Sequence, residues 1–197
     1  MLRGLKLSLI SVFVVAVTVA LAYVLGGEAG QYIGEYRAER EYLKRRTKDS
    51  EELLAGANRQ IVGEKLPDHQ FQDISGNIVL LSDLLKQKTV VSFVSSNCEG
   101  CLQQAEKIAA VARDSADFAC FIMIALNEID ELAAFREEVN LMCPLLYDHN
   151  GEYVTKFFNN YVTPTSMIVN ESGIVESVVA GHLTDREINE VMDYNRD

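Results

Sequence analysis

The chain has 197 residues, a formal net charge of −11 and a mean hydropathy of +0.03, a length that allows one globular domain with some chain to spare. The acid excess lies beyond the first quarter, where residues 47–197 carry 11 Lys and Arg against 25 Asp and Glu. A field of that sign repels phosphate backbones and excludes nucleic acid as a partner.

Residues 7–25 hold no charged side chain and follow Arg3 and Lys6. As a helix at 1.5 Å per residue the run is about 29 Å long, close to the roughly 30 Å of bilayer hydrocarbon. A cleaved signal peptide is the competing reading, with Ala20-Leu21-Ala22 as its small-residue site, but its apolar region is usually about 7–15 residues. Residues 1–27 are therefore expected to be a retained transmembrane anchor that meets the lipid bilayer through residues 7–25. Arg37, Arg40, Lys44, Arg45 and Arg46 oppose the orientation that Arg3 and Lys6 set, but they are interleaved with Glu35, Glu39 and Glu41. Long domains translocate largely regardless of charge, which places the rest of the chain outside the cytoplasm, in the periplasm or on the outer face of the cell membrane. Residues 28–60, dense in mixed charge, predict a partly helical stalk.

The globular domain is expected over 61–197. Residues 71–74 and 78–80, split by Ser75-Gly76-Asn77, pattern as a β-hairpin, and 82–85 as a short helical turn. The apolar run 90–94 predicts a buried strand. Leu102, Ala105, Ile108, Ala109 and Ala112 recur at the spacing of one buried face, predicting a helix over 102–113. Residues 118–126 are too apolar for an edge and predict a central parallel strand. An amphipathic helix over 128–139, a short strand at 145–147, a turn at 148–151 and a helical stretch over 152–159 follow. Residues 166–169 and 174–179 pair antiparallel across Asn170-Glu171-Ser172-Gly173, with Gly where positive φ is wanted. Thr184 and Glu187 form a capping box that opens a last helix over 184–192. The order implies a mixed sheet covered on both faces, an α/β sandwich.

Cys98-Glu99-Gly100-Cys101 stands between the strand at 90–94 and the helix that follows. Free N–H groups and the positive end of the helix dipole stabilise a thiolate there, and the thiolate is the nucleophile of disulfide exchange. Two intervening residues let the second sulfur reach the first and resolve a mixed disulfide. Position makes Cys98 the attacking thiol and Cys101 the resolving one. Glu99 sets a negative charge between them, which raises the thiol pKa and biases the pair toward the reducing end of the scale. Zinc would need two more ligands at knuckle spacing. Cys120, Cys143, His69, His149 and His182 are scattered, so no metal is assigned. Cys120 and Cys143 read as small buried hydrophobes.

Four features together resemble the membrane-anchored thioredoxin-like proteins of the TlpA/ResA type, within the AhpC/TSA–thioredoxin superfamily. They are the hairpin from Leu66-Pro67-Asp68 to Leu80-Leu81-Ser82-Asp83, the dithiol, the extra helix and strand between Glu128 and Tyr147, and Tyr161-Val162-Thr163-Pro164-Thr165. The resemblance spans residues 61–195. It implies a thioredoxin-like three-layer sandwich with an N-terminal β-hairpin and a central α/β insertion, preceded by one transmembrane helix. It implies disulfide exchange with exported protein substrates, a membrane or soluble thiol electron donor, and no cofactor. It implies a cis bond at Thr163–Pro164, Thr163 offering its backbone to a client strand, and Glu99 and Gly100 beside the substrate.

The departures matter too. Asn97 stands where many relatives have Trp, and Gly100 where proline is common. Ser92 and Gln104 are neutral at positions where relatives place buried carboxylates, and Glu106 points elsewhere, so the resolving thiol's proton is left to water or backbone. Three rival readings remain. A peroxidase would suit Ser95 but finds Val91 where proline belongs. A copper-delivery factor would use His182 but wants three residues between its cysteines. The third is a dedicated maturation factor for one exported enzyme.

Overall fold

The computed structural model describes residues 2–56, 61–114, 121–126 and 129–195, with the side chains at 2–26, 28 and 112–114 outside that description. Cys120 and Glu128 of the sequence reading also lie outside the described residues. The chain divides into two compact units, Met1–Arg45 and Arg46–Asp197.

The first unit is helical and belongs to α1 (Leu2–Ala55). Tyr32, Ile33 and Tyr36 are exposed, and the Arg40 guanidinium lies 5.7 Å from the centre of the Tyr36 ring. Among the described residues no helix is long and apolar enough to cross a membrane. The candidate span at 7–25 falls where side chains are not described.

The second unit is built on seven strands: β1 (Gln70–Asp73), β2 (Ile78–Leu80), β3 (Thr89–Val94), β4 (Phe121–Ala125), β5 (Leu145–Tyr147), β6 (Thr165–Val169) and β7 (Val175–Ala180). Their order across the sheet is β2-β1-β5-β4-β3-β6-β7. The apolar strands β3 and β4 are buried on both faces and pair in parallel, Val90 opposite Phe121 and Val94 opposite Ala125, as their lack of alternation requires. β6 runs antiparallel to β3, which sets Ser92 opposite Ser166 and Phe93 opposite Thr165.

The helices α3 (Glu99–Asp114), α4 (Ile129–Val139) and α5 (Asp185–Tyr194) enclose one core with one face of the sheet. Ala105, Ile108, Leu132, Phe135, Ile188 and Val191 supply it. The other face packs Phe71, Phe93, Ile122, Tyr153, Phe157 and Met167 with Leu53 of α1 and with Leu81 of α2 (Leu81–Leu84). This is the thioredoxin-like sandwich, with its N-terminal hairpin, and α4 with β5 inserted.

Two local readings need correction. The helix expected at 102 begins at Glu99, because the Cys98 carbonyl already accepts the N–H groups of Cys101 and Leu102 at 3.0 and 3.1 Å. The helical stretch expected over 152–159 is instead a single 3₁₀ turn, Val154–Lys156, preceded by another at His149–Gly151 in the expected turn. Asn150 and Gly151 take positive φ, and the buried Asp148 carboxylate takes up the N–H groups of Tyr153 and Val154 at 2.8 and 3.0 Å, holding the backbone off an α path. The capping box forms as read, Thr184 Oγ1 accepting from Glu187 N–H while Glu187 accepts the Thr184 N–H.

The last turns of α1 are part of this unit. Arg46 makes a bidentate pair with Glu187, both contacts 2.9 Å, and donates to the His182 carbonyl at 2.9 Å. Ser50 Oγ accepts the Ala180 N–H at 2.9 Å, and the Gly56 carbonyl accepts Asn159 Nδ2 at 3.2 Å. Burial pushes the Glu187 carboxyl up, but hydrogen bonds from Thr184 and Arg46 outweigh it and hold the group below its usual range. Its contribution to stability is therefore present above the ordinary carboxylate range and is lost as pH falls through the lower folded value. Arg46→Ala, which leaves Glu187 without its partner, is expected to cost about 2 kcal/mol in chemical unfolding near neutral pH. The gap to wild type should close in acid. An equal deficit at every pH would show that the pair is not what the arginine contributes.

Candidate active site

β3 ends at Val94 and α3 starts at Glu99, so the loop between them carries the chain from the C-terminal end of a central strand into a helix N-terminus. Cys98 sits just before the helix and is half-buried, while Cys101 lies in its first turn, fully buried. The two are joined as a disulfide, with Cα atoms 5.1 Å apart. The Cys101 N–H lies 3.1 Å from Cys98 Sγ, and the Ser95 N–H lies 3.5 Å from Cys101 Sγ. When the bond opens, an N–H aimed at Cys98 Sγ and the free end of the helix stabilise negative charge on that sulfur.

A second element closes on the same sulfur. The Thr163–Pro164 bond is cis, and the Thr163 carbonyl oxygen lies 3.2 Å from Cys98 Sγ. The disulfide sulfur has no hydrogen to give; the reduced thiol can donate one to that oxygen. Pro164 is buried against the helix start, where a Cβ on Gly100 would stand 3.3 Å from its Cδ. Glycine at 100 is thus a close-approach position, which accounts for the absence of a larger residue there. Glu99 is exposed, within 3.5 Å of Gln103 Nε2. The structure brings Cys98, Cys101, Gly100, Thr163 and Pro164 together, and leaves the Glu99 side chain at the rim.

Beneath the dithiol the positions expected to be merely neutral form a connected network. Gln104 Nε2 donates to Ser92 Oγ at 2.8 Å and to Ser166 Oγ at 3.2 Å; the two hydroxyls are 2.9 Å apart; and Gln104 Oε1 accepts the Leu183 N–H at 3.0 Å. All three side chains are buried. The amide ties the dithiol helix, the β3–β6 pair and the loop before α5 in one uncharged node. Gln104 is three residues from Cys101 and four from Ile108, on the stripe that the helix buries. That spacing, with a serine inside each of two apolar strands, was the signal that could have found it.

Two carboxylates were also missed. Glu131 of α4 accepts from Ser96 Oγ at 2.8 Å and so ties down the loop before Cys98. Burial pushes the Asp148 carboxyl up while the N–H groups of Tyr153 and Val154 pull it back, and both its oxygens are committed to those bonds. His182 stays half-buried, and burial, with Lys107 and Arg46 nearby, depresses its pKa. Cys143 is buried in the helical-face core. Among the described residues no group of three or more His, Cys, Asp or Glu could hold a metal ion.

A dithiol at a strand-to-helix junction, faced by the carbonyl before a cis proline on a thioredoxin-like sheet, is the site of a thiol–disulfide oxidoreductase. The AhpC/TSA family pattern matches residues 62–178, more than half of the chain, and the chain belongs to that family. It is similar to the thioredoxin-like protein YneN of Bacillus subtilis strain 168, 23% identical over 135 residues that cover 66% of this chain and 78% of YneN. Among solved structures it is similar to a thiol:disulfide interchange protein of Chlorobium tepidum TLS, with TM-score 0.58 and 18% identity, covering 68% of this chain and 97% of the other. It is also similar to a secreted Mycobacterium tuberculosis disulfide oxidoreductase homologous to E. coli DsbE, with TM-score 0.53 and 16% identity, covering 64% and 94%. At these identities the structural likenesses establish the shared fold.

Replacing the node tests its part in the site's architecture. Gln104→Leu strands the Leu183 N–H and leaves the two hydroxyls only each other, and is expected to cost about 2 kcal/mol in urea unfolding. Gln104→Glu keeps the shape, and burial raises the new carboxyl's pKa. That variant should be nearest to wild type in acid and lose stability as pH climbs past the ordinary carboxylate range.

Proposed function

We propose that the chain is a membrane-anchored, exported protein thiol–disulfide oxidoreductase of the TlpA/ResA type, working as a reductant. Cys98 is its attacking thiol and Cys101 its resolving thiol. The observation that carries the reading is the meeting of three groups at one surface point: the half-buried Cys98 sulfur, the Cys101 N–H and the Thr163 carbonyl.

The Cys98 thiolate attacks one sulfur of a client disulfide. That S–S bond breaks, the other client sulfur leaves as a thiolate and takes a proton, and a Cys98–client disulfide forms. Cys101, deprotonated, attacks Cys98 Sγ, the mixed disulfide breaks, and the second client thiol departs as the disulfide described above forms. Two electrons pass to the client, and a thiol donor returns them. Thr163 holds the client backbone as a short added strand. The uncharged node beneath Cys101 offers no carboxylate, so its proton leaves to solvent. The peroxidase reading has less support, because Val91, fully buried in β3, stands where that chemistry places proline.

Residues 7–25 support the anchor by length and lack of charge, and the secreted mycobacterial relative supports an extracytoplasmic domain. Carbonate washing should leave the full-length chain in the membrane; release of a shortened chain would identify a cleaved signal instead. Cys101→Ala should trap a mixed disulfide with a client and Cys98→Ala should not, with the reverse pattern overturning the assignment. The wild-type couple is expected nearer thioredoxin's ~−270 mV than DsbA's ~−120 mV. A value near the latter would make the chain an oxidant.

A further inference from the structure

A groove of about 290 Å³ lies beside the site, lined by Asp49, Glu52, Leu53 and Gly56 of the α1 terminus and by Asn160, Tyr161 and Val162. The last three residues run directly into Thr163, whose carbonyl faces Cys98 Sγ. Resting on the redox reading above, we propose that this groove is the site where the client segment docks. It selects clients whose cysteine is neighboured by an apolar side chain and by Lys or Arg.

The shape and chemistry of the lining lead there. Leu53 is buried and Tyr161 packs against the same core, so the floor is apolar. Val162 is 52% exposed at the rim, an uncovered apolar side chain one residue from the carbonyl. A cavity of this size takes one or two side chains and not a whole small ligand. The wall is acidic. Asp49 and Glu52 are both exposed, and only Glu52 is engaged by Lys48, at 3.3 Å and open to solvent, where a pair contributes little. Glu99 is exposed next to Cys98 and Glu131 accepts from Ser96 in the loop before it, so a cationic segment finds further attraction near the sulfur.

The wall is also rigid. Arg46, Ser50 and Gly56 fix the α1 terminus to Glu187, Ala180 and Asn159, so Asp49 and Glu52 are held in place before any client arrives. A client strand that pairs with Thr163 continues past Val162 into the groove. The cysteine is thereby read together with its neighbours, and specificity comes from side chains while the backbone pairing stays general.

The test uses the reduced full-length chain and three synthetic peptides with one cysteine each, activated as the 2-thiopyridyl disulfide. One carries Leu and Lys next to the cysteine, the second Leu and Glu, and the third Ala and Lys. The dithiol gives up two electrons, the peptide disulfide is reduced, and released thiopyridone reports the rate. Each rate is divided by the same protein's rate with neutral 4,4′-dithiodipyridine. The lysine peptide is expected to react about tenfold faster, a difference of about 1.4 kcal/mol. Asp49→Lys/Glu52→Lys should reverse that preference, and Val162→Asp should slow a leucine peptide relative to its alanine counterpart. Equal normalised rates for all peptides in wild type would overturn the groove and leave the dithiol reading intact. Self-association abolished by Val162→Asp, with equal peptide rates, would overturn it by assigning the groove to a second copy. No exchange with any of the disulfides would overturn both.

Discussion

The site depends on the antiparallel register between β3 and β6. Because Phe93 faces Thr165, the residues that enter β6 arrive beside the residues that leave β3, and Thr163 meets Cys98 although 65 positions separate them. The same register sets Ser92 against Ser166 on the helical face. A slip of β6 by one residue would turn Ser166 into the apolar core opposite and carry Met167 beneath the dithiol. Strand pairing therefore fixes the chemistry above the sheet's edge and the polar node below it in one step.

Charge is distributed around the sulfurs in an unusual way for such a site. Carboxylates stand at the rim, on Glu99 and on Glu131, while the interior beneath Cys101 holds an amide and two hydroxyls. A buried carboxylate would couple the resolving thiol's ionisation to its own. A neutral node offers no such coupling. The charge near the sulfurs therefore stands at the surface, where salt screens it.

Much of this was legible in the chain itself. Strand and helix order, the Gly173 turn, the Thr184 capping box and the dithiol each carry a local signal, because backbone preference and apolar spacing act over a few residues. The cis bond at Pro164 was suggested only by the company it keeps, since nothing local distinguishes it from a trans proline. The long-range polar contacts were not readable. Gln104 falls on the buried stripe of its helix, but its three partners come from distant segments, and Arg46 is one basic residue among several until Glu187 and the His182 carbonyl meet it. The 152–159 stretch was misread because Asp148, acting on backbone N–H groups beyond its own turn, overrode the helix pattern.

The α1 terminus draws a boundary that apolar pattern does not. Leu53 belongs to the core, Ser50 satisfies the end of β7, and Arg46 holds the loop whose Leu183 N–H reaches Gln104. A protease that severs α1 ahead of Arg46 would release the second unit with its packing whole. A cut ten residues later, still well before the first strand, would remove a core side chain and uncover a carboxylate, an amide and a carbonyl at once. An intact released unit and a damaged one are thus separated by under three turns of one helix.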